Sequence, residues 1–416
     1  MPGFVADVKI CKAEGCACLA TGGTRLLSCG LFMLPFCDSR REALRGRVAA
    51  FAARLPRVVG EAALDKATAL PALAALAAAE ILPLVVPAVH GGGAQNVDAL
   101  SLVVVRETLA GMSTVHDVLF AVQGLAAHPL VLGAVPSVAN QWLPALASGR
   151  AIGAFAATEP EAGSDLMAMT TTAVRQGDSY LLNGHKIFIS NAGLADVYIV
   201  FARQEGSDTT GGVRLSAFAV PAETPGLQTH PMELMAAHAI GGVWLRDVRI
   251  PAEFRLGEEG DGLSLCLSTL ELYRPTVGAA ACGMAMRAFD ETLRRIQVRK
   301  QFGQTLADQP TVRFALAEMA TNLEAARGLV YRAAWYKEQP DASPVELRRL
   351  TAMAKLHATE AACAVVDQAL QLHGAAGLVR GGVIERLYRD VRALRIYEGT
   401  SEIQKLLVAR TYLGGK

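Results

Sequence analysis

Between Asp38 and about residue 149 the apolar positions recur at helical spacing. Asp38 or Ser39 can cap a run from Arg40 to Leu55, and Leu73, Leu76, Ile81 and Leu84 repeat near one helical face. Pro83, Pro87 and Gly91-Gly92-Gly93 divide this stretch into helices and loops. Around Ala151 the texture changes to short β-prone runs at 152–157, 170–174, 197–202, 215–220 and 243–250. Turn clusters such as Gln176-Gly177-Asp178 separate them, the pattern of antiparallel strands. Helical periodicity returns from Asp261 in four segments, about 261–298, 311–338, 344–373 and 401–413. Ser343-Pro344 joins a hydroxyl cap to a proline at the first helical position, whereas Pro275 should kink or end the segment that contains it. The expected fold is mainly α with a central β-domain: helices over 38–150, strands over 151–260 and a four-helix part over 261–416. Residues 1–37 form an atypical leader outside it.

Composition narrows the function classes. Lys and Arg total 40 against 39 acidic residues, so no basic field draws nucleic acid or an anionic membrane. The 52% hydrophobic content over 416 residues points to a large core and to subunit contacts. Apolar stretches are broken by charge, Gly or Pro, or are periodic like 69–89, so no membrane span is expected. Five of eight cysteines, Cys11, Cys16, Cys18, Cys29 and Cys37, crowd the leader without CxxC spacing or nearby His, which argues against zinc. Asp7, Glu14 and the lack of a continuous apolar core argue against a signal peptide, and a cytoplasmic location is expected. Cys266, Cys282 and Cys363 lie singly in helical sequence and read as small buried hydrophobes.

Candidate chemistry lies in four blocks, and none is a GxGxxG or phosphate-loop pattern. Phe155-Ala156-Ala157-Thr158-Glu159-Pro160-Glu161-Ala162-Gly163-Ser164-Asp165 leaves a strand for a Gly-containing loop. Its backbone and hydroxyls suit a planar, hydrogen-bonding ligand, and a tight strand-closing turn suits it equally. In Leu182-Asn183-Gly184-His185-Lys186-Ile187-Phe188-Ile189-Ser190-Asn191-Ala192, an aromatic and a hydroxyl stand two residues apart on one strand face. Arg299-Lys300-Gln301-Phe302-Gly303 closes a long helix and offers an Arg fork beside an aromatic, although an exposed helix end explains the charges too. The last block holds Gln371-Leu372-His373-Gly374, Leu387-Tyr388-Arg389-Asp390 and Ile396-Tyr397-Glu398-Gly399-Thr400-Ser401-Glu402-Ile403-Gln404.

Taken in order, these blocks resemble the acyl-CoA dehydrogenase family from about Asp38 to the C-terminus. The resemblance implies an N-terminal all-α domain, a small antiparallel β-domain and a C-terminal four-helix bundle, with FAD between the last two. It further implies a homotetramer in which the cofactor reaches a neighbouring subunit. By motif, Phe155, Ala157 and Thr158 would line the flavin, Phe188 and Ser190 would flank its ring near the reactive nitrogen, and Ser164 would meet the thioester-bearing part of the substrate. Arg299 and Phe302 of one subunit, with Gln371 and Gly374, would grip the diphosphate and adenosine of FAD bound by another, and Thr400 and Glu402 would complete that cradle. Glu398 would remove the α-proton of an acyl-CoA thioester, with Gly399 beside it, giving a trans-2-enoyl product. Glu271 and Arg274 would contact CoA, and electron-transfer flavoprotein would accept the electrons. Some members carry the base beside the Arg of an Arg-Pro pair; that position here is Tyr273, which cannot serve.

The chain departs from the family where Phe188 replaces a usual Trp, where Ala375 replaces the second Gly of a pair, and where Pro310 stands in place of a common Gln. An acyl-CoA oxidase, a desaturase of carrier-protein thioesters and a flavin-binding stress protein remain as rival readings. The last lacks the basic surface expected of it.

Overall fold

Asp38 starts the first helix, α1 (Ser39–Ala52), by accepting the Arg41 N–H at 2.9 Å. In the computed structural model the described residues are 36, 38–55, 64–205, 212–236 and 238–414; the leader cysteines fall outside them. Helix α2 (Lys66–Ala78) opens with a reciprocal Asp65–Thr68 cap, and α3 (Ala99–Met112), α4 (Thr114–Gly133) and α5 (Pro136–Ala147) complete the first helical layer. Among the described helices α4 alone is long and apolar enough to cross a membrane, but it is mostly buried against α3, α5, α6 and β1 and carries Asp117 and Gln123 inward.

The central sheet has eight strands: β1 (Gly153–Ala156), β2 (Thr172–Gln176), β3 (Ser179–Ser190), β4 (Val197–Gln204), β5 (Leu215–Pro221), β6 (Leu227–Met232), β7 (Ile240–Pro251) and β8 (Arg255–Leu256). They run β6-β7-β3-β2-β4-β5-β8, with β1 beside β4. The expectation of antiparallel strands holds for most of the sheet and needs one correction: β1 and β2 both lie parallel to β4, and neither is joined to it directly by a hairpin, whereas β5, the next strand in the chain, is antiparallel to it. Strand β6 was not foreseen; its Pro231 and exposed face hide the alternation.

Helix α6 (Gly262–Val298) continues unbroken through Pro275, contrary to one of the two expectations for that residue. Burial on all sides holds it, and the Thr276 hydroxyl donates to the Tyr273 carbonyl at 2.7 Å. The chain then makes a small hairpin, β9 (Lys300–Gln301) and β10 (Gln304–Thr305), before α7 (Pro310–Lys337), α8 (Pro344–His373), α9 (Val383–Ala393) and α10 (Ser401–Tyr412). Helix α8 begins at the foreseen Pro344, although the Ser343 side chain makes no capping bond. The 387–390 motif lies on α9, a fifth helix in this part beyond the four expected, with Ile384, Leu387 and Val391 on its buried face. Cys266 and Cys282 are buried as expected; Cys363 is only half-buried.

Helices α6, α7 and α8 pack together, and α3 joins them from the first layer. The contact of α3 with α6 is close because Gly283 faces it: a Cβ there would lie 2.0 Å from the Glu107 carbonyl oxygen. Glu107 itself is fully buried, and accepts Arg327 Nε at 2.8 Å, Arg45 Nη1 at 2.6 Å and the Tyr331 hydroxyl at 2.6 Å. Burial alone would raise this carboxyl, but the two guanidiniums hold it at about 2. A paired charge thus locks α1, α3 and α7 into one frame beneath the site.

Candidate active site

Glu398 lies in the turn between α9 and α10, with left-handed backbone at φ 53°, followed by Gly399 at φ 92°. Two positive φ values in succession need Gly at the second, where a Cβ would also lie 2.5 Å from Gln404 Nε2. The turn is tied down from two sides: Lys355 Nζ of α8 donates to the Gly399 carbonyl at 2.7 Å, and Gln404 Nε2 donates to the same oxygen at 3.0 Å. Thr400 caps α10 by accepting the Ile403 N–H at 3.3 Å.

The backbone is held, yet Glu398 Oε2 is buried and has no hydrogen-bond partner. Desolvation pushes this carboxyl above its usual range, against the pull of Arg106, Lys355 and Arg274. Arg106 and Asp117 form a buried ion pair behind it, Nε to Oδ1 and Nη2 to Oδ2 at 2.9 Å each, while Arg106 Nη1 donates to the Thr276 hydroxyl at 3.0 Å. Arg274 is buried with its Nε unpartnered, and burial lowers its pKa. Lys355 is pushed down to about 8, also by burial. The site therefore holds the poorly solvated Glu398 carboxylate beside the Arg106–Asp117 pair and the buried cations Lys355 and Arg274. Unsatisfied polar atoms grouped in this way are costly in a closed core, and a polar ligand would relieve them.

Tyr273 is fully buried, its hydroxyl lacks a partner, and burial pushes the phenol up. It packs onto Gly124 of α4, where a Cβ would lie 1.8 Å from its oxygen. Glu271 pairs with Lys337 at 3.5 Å and keeps about a quarter of its side chain exposed.

The first two sequence blocks come together in the sheet. Ile187 N–H donates to the Thr158 carbonyl at 3.0 Å, and Lys186 Nζ donates to buried Glu159 at 2.8 Å. Glu159 also accepts the Thr170 and Thr171 amides, and Lys186 with these bonds holds it at about 2 against burial. Phe155 packs on Phe201 at 4.9 Å between centroids, Ala157 is buried, and Ser164 stands exposed on the loop. The simple alternation expected for Phe188 and Ser190 fails, because the β3–β7 register shifts between Lys186 and Ile189 and Phe188 has φ 55°. This bulge leaves Phe188 52% exposed beside Ser190.

Arg299, Gln371 and Gly374 line one open cavity of about 410 Å³ together with Arg295, whose Nη2 donates to the His373 carbonyl at 3.0 Å. Arg299 follows the end of α6, and Phe302, at the hairpin tip, is 96% exposed. Thr400 and Glu402 lie at the start of α10 and do not line this cavity. Within one chain the two groups therefore do not line a common cavity.

Sequence reasoning missed Arg106, Asp117, Lys355 and the Lys186–Glu159 pair as supports. The signal was present: Arg106-Glu107 interrupts Leu-Val-Val-Val, and Lys355 stands among alanines, where a charge needs a buried partner.

The described residues thus form a helical unit, a sheet unit and a second helical unit, and the last carries the unpartnered Oε2 of Glu398 between α9 and α10. The chain matches the family models for the acyl-CoA dehydrogenase N-terminal domain over residues 38–150, middle domain over 154–249 and C-terminal domain over 260–413. It belongs to the acyl-CoA dehydrogenase family, whose members are FAD-dependent enzymes. It is 38% identical to the Caffeyl-CoA reductase-Etf complex subunit CarC of Acetobacterium woodii over 76% of this chain and 83% of that protein. It is 34% identical to cyclohexane-1-carbonyl-CoA dehydrogenase of Geobacter metallireducens over 80% of this chain and 86% of that protein. The butyryl-CoA dehydrogenase structure from Megasphaera elsdenii superposes with a TM-score of 0.83 at 30% identity, covering 91% of this chain and 99% of that one.

Proposed function

We propose that this enzyme desaturates an acyl-CoA thioester between its α and β carbons, with Glu398 as the base that removes the α-proton. The buried, partnerless Oε2 of Glu398 carries this reading. A thioester α-hydrogen is weakly acidic, so a carboxylate in water would be too poor a base. Desolvation raises Glu398 toward the strength the reaction needs, and a bound acyl chain would exclude more water. Arg106, Lys355 and Arg274 oppose that rise and favour the charged form that a base requires. The left-handed backbone fixes the direction of the side chain, and Lys355 and Gln404 hold the Gly399 carbonyl so that the turn cannot relax. FAD, when bound, supplies the hydride acceptor.

The residues fit that cofactor. Ala157, Thr158, Phe188 and Ser190, with Phe155 behind them, would hold the ring at the β-domain, with Thr400 and Glu402 on the opposite side. Arg299 and Gln371 line a cavity suited to the diphosphate, with Gly374 permitting close approach and Phe302 free to stack on an adenine. Ser164, Gly399, Arg274 and Glu271 would hold the thioester and the pantetheine arm. The exposure of Phe302 supports a homotetramer in which this side completes a neighbour's cofactor site. The similarity to a subunit of an Etf complex supports electron-transfer flavoprotein as acceptor. A cytoplasmic location is part of the same reading, and fractionation tests it.

The test is anaerobic mixing of the yellow protein with a panel of acyl-CoAs. A cognate substrate bleaches the flavin band and yields an enoyl-CoA two mass units lighter. No bleaching by any thioester would overturn the reading. Fast reoxidation by oxygen in preference to electron-transfer flavoprotein would make it an oxidase.

A further inference from the structure

The segment before β7 carries a histidine that the site described above does not use. His238 Nε2 lies 2.7 Å from Ser190 Oγ, at the end of β3. The contact is built into the backbone: Asn191 N–H donates to the Ala239 carbonyl at 2.8 Å, and Ser190 pairs with Ile240 across β3 and β7. The far end of the segment is held by the C-terminal part, where Arg389 Nη1 of α9 donates to the Met235 carbonyl at 2.7 Å. His238 thus lies on the β-domain close in sequence to Met235, whose carbonyl meets α9, and the cofactor is expected between these two parts.

We propose that His238 is a positioning residue for the flavin ring: its Nε2–H donates to Ser190 Oγ, which turns the Ser190 hydroxyl proton outward to donate to the ring. The proposal rests on the reading that Ser190 flanks the flavin. A hydroxyl has one proton and rotates freely in isolation. In a 2.7 Å contact one partner must donate, and the reactive N5 of an oxidised flavin, which Ser190 would flank, carries no proton and would only accept. A donor at the ring therefore requires Ser190 to accept from His238. Burial favours the neutral imidazole, lowering its pKa to about 4, so a single ring proton is available and its place decides the direction of the bond.

The test compares FAD-loaded wild type with Ser190→Ala, His238→Asn, His238→Gln and Ser190→Ala/His238→Asn by visible absorption, flavin fluorescence and reduction potential. The Gln amide reaches about as far as Nε2 and retains a donor, whereas Asn is too short. Ser190→Ala and His238→Asn are expected to displace the absorption band and potential equally. The double variant should add nothing, because the two side chains act as one unit, and His238→Gln should return the wild-type values. Additive effects, or a wild-type spectrum and potential in His238→Asn while Ser190→Ala is altered, would overturn the role of His238. An unaltered Ser190→Ala spectrum and potential would instead overturn the placement of the ring at Ser190, and the proposal with it. The readouts need no substrate turnover, so they separate this role from that of Glu398.

Discussion

Replacing Asp117 by Asn keeps the shape and one acceptor oxygen but removes the charge that balances Arg106. Both side chains are 1% exposed, and the pair is bidentate, with two 2.9 Å bonds. Breaking a buried pair from one side costs about 3–5 kcal/mol, because the remaining charge is desolvated without a counter-ion. Arg106 retains the Thr276 hydroxyl at 3.0 Å and the field of Glu398, and neither replaces two hydrogen-bonded carboxylate oxygens. Urea unfolding followed by circular dichroism should show a loss of about that size in the helical transition. Arg106→Met/Asp117→Asn, which removes both charges, should recover much of it. A second consequence reaches Glu398, on which Arg106 acts to lower the pKa and Asp117 to raise it. With Asp117 neutralised the pull of Arg106 stands alone, so the acid limb of kcat/KM should move to lower pH. An Asp117→Asn protein as stable as wild type, or an acid limb that moves to higher pH, would refute the argument.

Three further outcomes follow from the same geometry. Burial lowers His128 to about 4, so the unfolded chain binds the extra proton between about 6.5 and about 4. Stability should therefore be full above about 6.5 and fall as the pH drops through that window, with a shallower fall in His128→Gln. Gly399→Ala forces a Cβ onto φ 92° and against Gln404, and should cost about 1–3 kcal/mol in unfolding while lowering kcat with FAD retained. Arg299→Gln should weaken FAD retention by at least about tenfold in ultrafiltration, since a charged hydrogen bond contributes about 1.5–3 kcal/mol; unchanged retention would remove Arg299 from the cofactor site.

The order of helical, strand and helical regions was legible because each has a clear period: α6, α7 and α8 run almost as the apolar spacing draws them. The parallel pairing of β1 and β2 with β4 was not, since alternation records which face is buried and not which strand lies alongside. Strand β6 was hidden by its exposed polar face, whereas α9 was legible and overlooked, since Ile384, Leu387 and Val391 recur at helical spacing on its buried face. In the site, Glu398-Gly399 was legible as a motif, while the left-handed turn and the Lys355 bond that hold it depend on a helix some 40 positions earlier. The bulge at Phe188 arises from a register shift against β7, and no local pattern records it. His238 left no signal at all, being one histidine in a short loop.

The most direct test of the account is anaerobic rapid mixing of FAD-loaded Glu398→Gln with the acyl-CoA that bleaches the wild-type flavin. Gln preserves the size and the buried position but cannot take the α-proton. The account predicts that the variant stays yellow, binds the thioester and shows bleaching slowed by at least about a thousandfold, within the span expected for a positioned base and its charge. Bleaching at the wild-type rate would contradict it.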